Sequence, residues 1–188
     1  MTNPLPAHPT PSSTSRPNIV HVIQGDCEVS DDPNTVFSTI LGSCIAACIW
    51  DPMMGIGGMN HFLLPDGEGS GPGSQKYGAY AMECLINGLL RRGAHRQYLE
   101  AKIFGGSRMM KGIGGIGSRN VAFVQGFLRA EGISIVAQDV GGDKARRVKF
   151  WGATGVAKLK WLESSSANED IAPVPPVTPA PTGDVELF

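Results

Sequence analysis

Short apolar runs separated by glycine-rich or Asp/Pro-containing turns organise the middle of the chain. Asn18–Ile23 (NIVHVI), Val36–Leu41, Ile45–Trp50 and Met59–Leu64 have the length and β-branched or aromatic content of strands. Asp51-Pro52 and the Gly55–Gly58 cluster supply the turn between the last two. GEGSGPGS, Gly67 to Ser74, reads as a mobile loop. A helix is then expected, with Ser74 as its N-cap. Tyr77, Tyr80, Cys84, Leu85, Gly88 and Leu89 would share its buried face. Arg91 and Arg92 suit the last turn, and Gly93 suits the left-handed position beyond it. Leu99–Phe104 returns as a strand before the glycine-rich Gly105–Gly117 segment. A second helix is expected over Ser118–Glu131, with Val121, Val124, Phe127 and Leu128 as its stripe and Gly132 at its end. Ile133–Val140, Arg147–Phe150 and Val156–Trp161 complete the strands. Paired strands with two separate helices, and no regular βαβ repeat, predict an α+β fold.

The ends differ in character. Residues 1–17 and 164–188 combine clustered prolines with Ser, Thr and Ala and few large apolar residues. Such segments bury too little surface to offset the entropy of ordering, so they are expected to be flexible tails. The folded domain is then 18–163. With 188 residues, 41% apolar content and a net charge of −1, the chain is long enough for one core and lacks the electrostatic footprint of a nucleic-acid binder. No apolar run is long enough for a membrane span, and the N-terminus has no signal-peptide core. The expected location is the cytoplasm, where Cys27, Cys44, Cys48 and Cys84 stay reduced. No pair forms CxxC, which argues against structural zinc. Cys44, Cys48 and His61 are the one set of metal ligands to consider.

The chemistry of interest lies in TILGSCIAACIWDPMMGIGGMNHFLLP, Thr39 to Pro65. A cysteine attacks as thiolate, and a neighbouring histidine both favours that form and protonates a leaving amine. Gly42-Ser43 before Cys44 would let backbone N–H groups near Ser43 and Cys44 approach a developing oxyanion. Gly57-Gly58 before His61 would let a substrate pass closely. A hydroxyl upstream, Ser38 or Thr39, would orient the ring of His61. Spacing alone leaves the opposite reading open, since buried cysteines are common small hydrophobes and histidines often simply pack. Cys48 reads as core, Cys27 as a loop thiol, Cys84 as helix face, His21 as packed in a strand, and Asp51 as turn chemistry. His8 falls in the tail and His95 in a loop beside Arg96.

LGSCIAACIWDP followed by GGMNHFLLP resembles the CheD family of chemoreceptor glutamine deamidases. AKIFGGSRMM, IGSRNV and GISIVAQDVGGDKARRVKF follow in order, so the likeness spans about residues 19–160. The resemblance implies hydrolysis of glutamine side chains of methyl-accepting chemoreceptors to glutamate, with release of ammonia and without a cofactor. It places the nucleophile on Cys44, the histidine on His61 and the third residue on Ser38, where the family usually has threonine. It also implies layered mixed β-sheets flanked by helices, as in toxin-type cysteine deamidases, and a CheC-type phosphatase as a further partner.

Other segments carry weaker expectations. Gly105-Gly106-Ser107 and Gly141-Gly142-Asp143 are either tight turns or rims of a substrate site. Lys144, Arg146, Arg147 and Lys149 form a basic cluster, either a solvated face or a dock for an acidic receptor. KGIGGIG (Lys111–Gly117) lacks the ending of a phosphate loop. GDVELF at the C-terminus is either a docking peptide or a frayed end. Two rivals to the deamidase remain: a binding protein that regulates a phosphatase, and a general cysteine peptidase.

Overall fold

The structure is a computed structural model that describes residues 16–65, 72–108 and 115–162. Among the described residues, nine strands form two sheets. The strands are β1 (Asn18–His21), β2 (Cys27–Ser30), β3 (Thr35–Leu41), β4 (Ile45–Asp51), β5 (Ile56–Phe62), β6 (Glu100–Gly105), β7 (Ser134–Val140), β8 (Arg146–Trp151) and β9 (Val156–Trp161). The helices are α1 (Pro72–Arg91) and α2 (Ile116–Ala130), with a short 3₁₀ turn at Arg96–Tyr98. One sheet has the order β1-β3-β8-β9 and the other β2-β5-β4-β6-β7. The β1/β3 and β6/β7 pairs are parallel and the rest antiparallel. Both sheets are therefore mixed, as the α+β layered reading requires.

The layers run four-stranded sheet, five-stranded sheet, helices. Ala46, Cys48 and Trp50 of β4 face the first sheet, in a core with Phe37, Leu41, Met59, Val148 and Phe150. Ile45, Ala47 and Ile49 face the helices, with Phe62, Met82, Leu85, Leu89, Val124 and Leu128. β4 is thus buried on both faces, which is why its sequence is a continuous apolar run rather than an alternating one. The sheets approach closely at Gly57, where a Cβ would sit 2.3 Å from the Gly152 carbonyl. A Cβ on Gly58 would sit 2.5 Å from the Glu28 carbonyl. These two glycines serve backbone packing, not the substrate passage expected of them.

Other expectations also change. α1 starts at Pro72, two residues before the expected cap at Ser74. Its buried face carries Gly78, Met82, Leu85, Ile86 and Leu89, while Tyr77 and Tyr80 are exposed. The phenol oxygens stay in water, and the unbranched and aliphatic side chains take the core. Cys84 is half-buried beside Cys27. The helix does end as expected. Gly93 is left-handed, and Ala94 N–H to Leu89 O with Gly93 N–H to Leu90 O closes a Schellman turn. α2 begins at Ile116, two residues early. Cys27 lies in the short strand β2 rather than in a loop, and His21 is exposed on an edge strand. Of the expected tails, residues 1–15 and 164–188 lie outside the described residues, as do 67–71 of the expected loop, 111–114 of KGIGGIG, and GDVELF. Among the described residues, no helix is long and apolar enough to cross a membrane.

Candidate active site

Cys44 stands where the chain leaves one sheet for the other, in the bend between β3 and β4. Its backbone is held on several sides. Gly106 N–H donates to the Cys44 carbonyl at 2.8 Å, and Ser107 N–H donates to the Gly42 carbonyl at 2.8 Å. Asn120, fully buried, donates from Nδ2 to the Ser43 carbonyl at 2.8 Å and accepts at Oδ1 from Leu64 N–H at 3.0 Å. One side chain thus ties the cysteine bend to the segment leaving β5. Gly105 has φ +112, and a Cβ there would meet the Cys44 carbonyl at 2.1 Å, so only glycine permits this approach. The GGS segment is therefore the floor of the bend.

His61 lies on β5 opposite Ala46. Residues 44 and 46 share a face, so the register makes Cys44 and His61 diagonal neighbours, with Cα atoms about 7–8 Å apart. His61 Nδ1 is 2.9 Å from Thr39 Oγ1 and 3.2 Å from the Val22 carbonyl. Thr39 Oγ1 itself donates to that carbonyl at 2.7 Å. With its proton so used, the hydroxyl accepts from Nδ1–H. Nδ1 then carries the ring proton, and Nε2 presents a lone pair. Nε2 is buried without a hydrogen-bond partner.

This geometry corrects the assignment of Ser38. Thr39 shares a face of β3 with Phe37 and Leu41, which enter the core between the sheets toward His61. Ser38 is one residue away and points to the opposite face. Its backbone carbonyl accepts from Val22 N–H, but its hydroxyl is not the group on His61. Ser43 is held by its backbone carbonyl, and its side of the bend borders a separate cleft.

Burial pushes the Cys44 thiol above its usual range, although its own backbone N–H, facing the sulfur, works the other way. Burial pushes the His61 imidazole below its usual range, partly opposed by the Val22 carbonyl and the charge of Asp26. Both shifts favour thiol and neutral imidazole at rest, not the ion pair expected from the residue types. Cys44 Sγ donates to Oε1 of Gln24 at 3.3 Å. Gln24, Val22 and Asn120 were missed in the sequence. Val22 acts through its carbonyl, which has no side-chain signature, and Asn120 is distant in the chain.

The cleft beside Ser43 measures about 770 Å³ and is lined by Gly106, Ser107, Val121, Gln125 and Gly141 among others. It abuts the cysteine bend without including Cys44 or His61. The expected basic cluster breaks up. Arg146 is fully buried, donates to Asp139, to Ser107 Oγ at 2.7 Å and to the Gly141 carbonyl, and stacks on Trp161 with its guanidinium carbon 4.5 Å from the ring centre. It locks the loops that support the cysteine bend. Cys48 is wholly buried, as expected of core. Asp51 accepts from the N–H groups of Met53, Met54 and His95, which is turn chemistry. Among the described residues, no three His, Cys, Asp or Glu side chains stand together to hold a metal ion.

A family model described as CheD chemotactic sensory transduction matches residues 63–161. A Caulobacter vibrioides (strain NA1000 / CB15N) protein named probable chemoreceptor glutamine deamidase CheD is 55% identical over 173 residues, which is 90% of this chain and 92% of that protein. The Ruegeria sp. (strain TM1040) protein named probable chemoreceptor glutamine deamidase CheD 1 is 48% identical, covering 90% and 95%. An Acidiphilium cryptum protein of the same kind of name is 45% identical, covering 95% of this chain and 100% of its own. Among solved structures, the Neisseria meningitidis protein NMB0706 is similar at 15% identity with a TM-score of 0.46, over 78% of this chain and 76% of that one.

Proposed function

The chain belongs to the CheD family, and from that premise we propose that it is a cytoplasmic protein-glutamine glutaminase that converts chemoreceptor glutamines to glutamates, with Cys44 as nucleophile and His61 as its base. The observation that carries the site assignment is the Thr39 Oγ1 contact to His61 Nδ1, which leaves Nε2 free on the face that Cys44 shares.

The geometry supports the following steps. The receptor glutamine enters at the mouth between the sheets. His61 Nε2 takes the thiol proton as Sγ attacks the carboxamide carbon. The oxyanion forms near the backbone N–H groups of Ser43 and Cys44, the latter facing the sulfur. His61 returns the proton to nitrogen, ammonia leaves, and the bond from carbon to sulfur remains as a thioester. Water, deprotonated by Nε2, attacks that thioester and releases glutamate and the thiol. Thr39 and the Val22 carbonyl keep Nδ1 protonated and steady the imidazolium formed in each half-reaction.

The test is peptide mass spectrometry of a receptor cytoplasmic fragment after incubation with the protein, with Cys44→Ala as control. Conversion of glutamine to glutamate by the wild type alone is expected. Equal behaviour of the two proteins would overturn the assignment. The CheC-type partner belongs to the same proposal: a CheC-type phosphatase is expected to co-elute with the protein and to slow receptor turnover competitively.

A further inference from the structure

One carboxamide already sits on the nucleophile. The turn Ile23–Asp26 closes with Asp26 N–H donating to the Ile23 carbonyl at 3.0 Å and Ile23 N–H to Asp26 Oδ2 at 3.2 Å. Gly25, at its third position, has the positive φ of +99 that such a turn requires of glycine. The turn is bolted to His61: Gly25 N–H donates to the His61 carbonyl at 2.8 Å, and His61 N–H to the Asp26 carbonyl at 3.1 Å. Val22, just before it, is bonded to Thr39 and Ser38. Gln24 therefore projects from a fixed backbone, and its Oε1 accepts the Cys44 S–H at 3.3 Å.

We propose that Gln24 is an internal substrate, whose side chain Cys44 converts to that of glutamate within the same chain. This rests on the deamidase reading above. In the resting contact the carbonyl oxygen accepts the thiol proton. Once His61 Nε2 has taken that proton, sulfur becomes electron-rich beside a carboxamide carbon one bond away from the contacting oxygen. Rotation about Cβ–Cγ brings the carbon toward it, and rotation about Cγ–Cδ turns the face of the carboxamide to the sulfur. Sγ–Cδ forms, Cδ–Nε2 of Gln24 breaks, and ammonia leaves with the proton from His61. Water then cleaves the thioester, so the carboxamide of Gln24 and one water become a carboxylate and ammonia. Tethering supplies the high effective concentration that a free carboxamide lacks. The product carboxylate stays against Sγ and disfavours the thiolate, so the modification dampens later turnover. Gln24-Gly25 is also a dipeptide prone to slow uncatalysed deamidation through attack of the Gly25 nitrogen. That nitrogen is here engaged by the His61 carbonyl.

The experiment is peptide mass spectrometry of position 24 over time in freshly purified wild type, Cys44→Ala and Cys44→Ser. An isotope-labelled Cys44→Ala chain is included in a mixture with unlabelled wild type. Glutamate at position 24 in the wild type, Gln24 in both variants, and unconverted labelled chain in the mixture is the expected result. Gln24→Glu should slow alkylation of Cys44 at neutral pH by about tenfold, one unit of thiol pKa. Conversion at equal rates in Cys44→Ala would assign the change to uncatalysed chemistry, and conversion of the labelled chain would make it intermolecular; either overturns the proposal. Persistent Gln24 in a wild type that converts a receptor fragment would overturn the proposal and leave the deamidase reading standing. Failure of receptor conversion as well would count against both.

Discussion

Cys44 and Cys48 lie four residues apart on the same face of one strand run, yet they occupy opposite chemical worlds. Cys48 is wholly buried between the sheets, and burial drives its thiol far above the usual range despite the nearby Lys102 charge. Cys44 sits just before the start of the central strand β4, half-buried, with a carboxamide on its sulfur and a tautomer-fixed imidazole diagonal to it. Residue type and face are equal, so the difference comes from position along the strand. The inner site excludes water and substrate alike. The outer one keeps a mouth, where the chain crosses from one sheet to the other.

The largest expected effect separates the two cysteines outright. Cys44→Ala should lower kcat/KM for receptor fragment by about 10⁴-fold or more. Cys48→Ala should keep activity and lose about 1 kcal/mol of stability, read by denaturant unfolding. Alkylation by iodoacetamide, followed by peptide mapping, should modify Cys44 on the order of 10³ times faster or more, because Cys48 reacts only through opening of the sheets. Comparable rates at the two sites would break the comparison.

Next comes the ring that distinguishes the outer site. Thr39→Val removes the acceptor for Nδ1–H while keeping shape, and should cost about 10- to 100-fold in kcat/KM, the scale of a buried hydrogen bond. Ser38→Ala should stay within about twofold of wild type, since its hydroxyl does not reach His61. A reversal of that order would restore Ser38 as the third member.

The pH profile gives a smaller but diagnostic effect. His61 is shifted down and Cys44 up. Protonation of His61 removes the base, so the acidic limb of kcat/KM should fall below the usual imidazole range. Loss of the second proton, from the thiol, should set the alkaline limb above the usual thiol range. The same signs predict that Cys44 alkylation still rises with pH beyond neutrality. A flat rate from mildly acid pH upward would mean a resting thiolate–imidazolium pair instead.

Arg146 sharpens the comparison through stability. Arg146→Ala should destabilise the protein by about 1–3 kcal/mol, since Ser107 and Gly141 would lose their shared donor, while Asp139 is exposed enough to be solvated. Thermal unfolding measures this. Because Ser107 holds Gly42, residual folded protein should also show weaker kcat/KM.

Much of this was legible along the chain. Apolar runs and turn residues located eight of the nine strands and both helices, because period and punctuation are local properties. Cys44 and His61 stood out as the residue types that acyl chemistry needs, next to small residues. β2 escaped because four residues between two turn-like segments carry little periodic signal. The face of α1 was misjudged because tyrosines count as apolar in a pattern but keep their hydroxyls in water.

The tertiary structure alone decided the pairings across sequence distance. Thr39, not Ser38, meets His61 because strand β3, within the four-stranded sheet, turns its odd-numbered residues toward the other sheet. Val22 contributes a carbonyl, Gln24 a carboxamide, and Asn120 a bridge between the bend of Cys44 and the end of β5. None of these contacts is written in composition or period. The sequence by itself determined which elements form and which chemistry is present. The packing of two sheets decided which atoms face one another, because side-chain direction in a strand flips at every residue and only the neighbouring layer says which face is in.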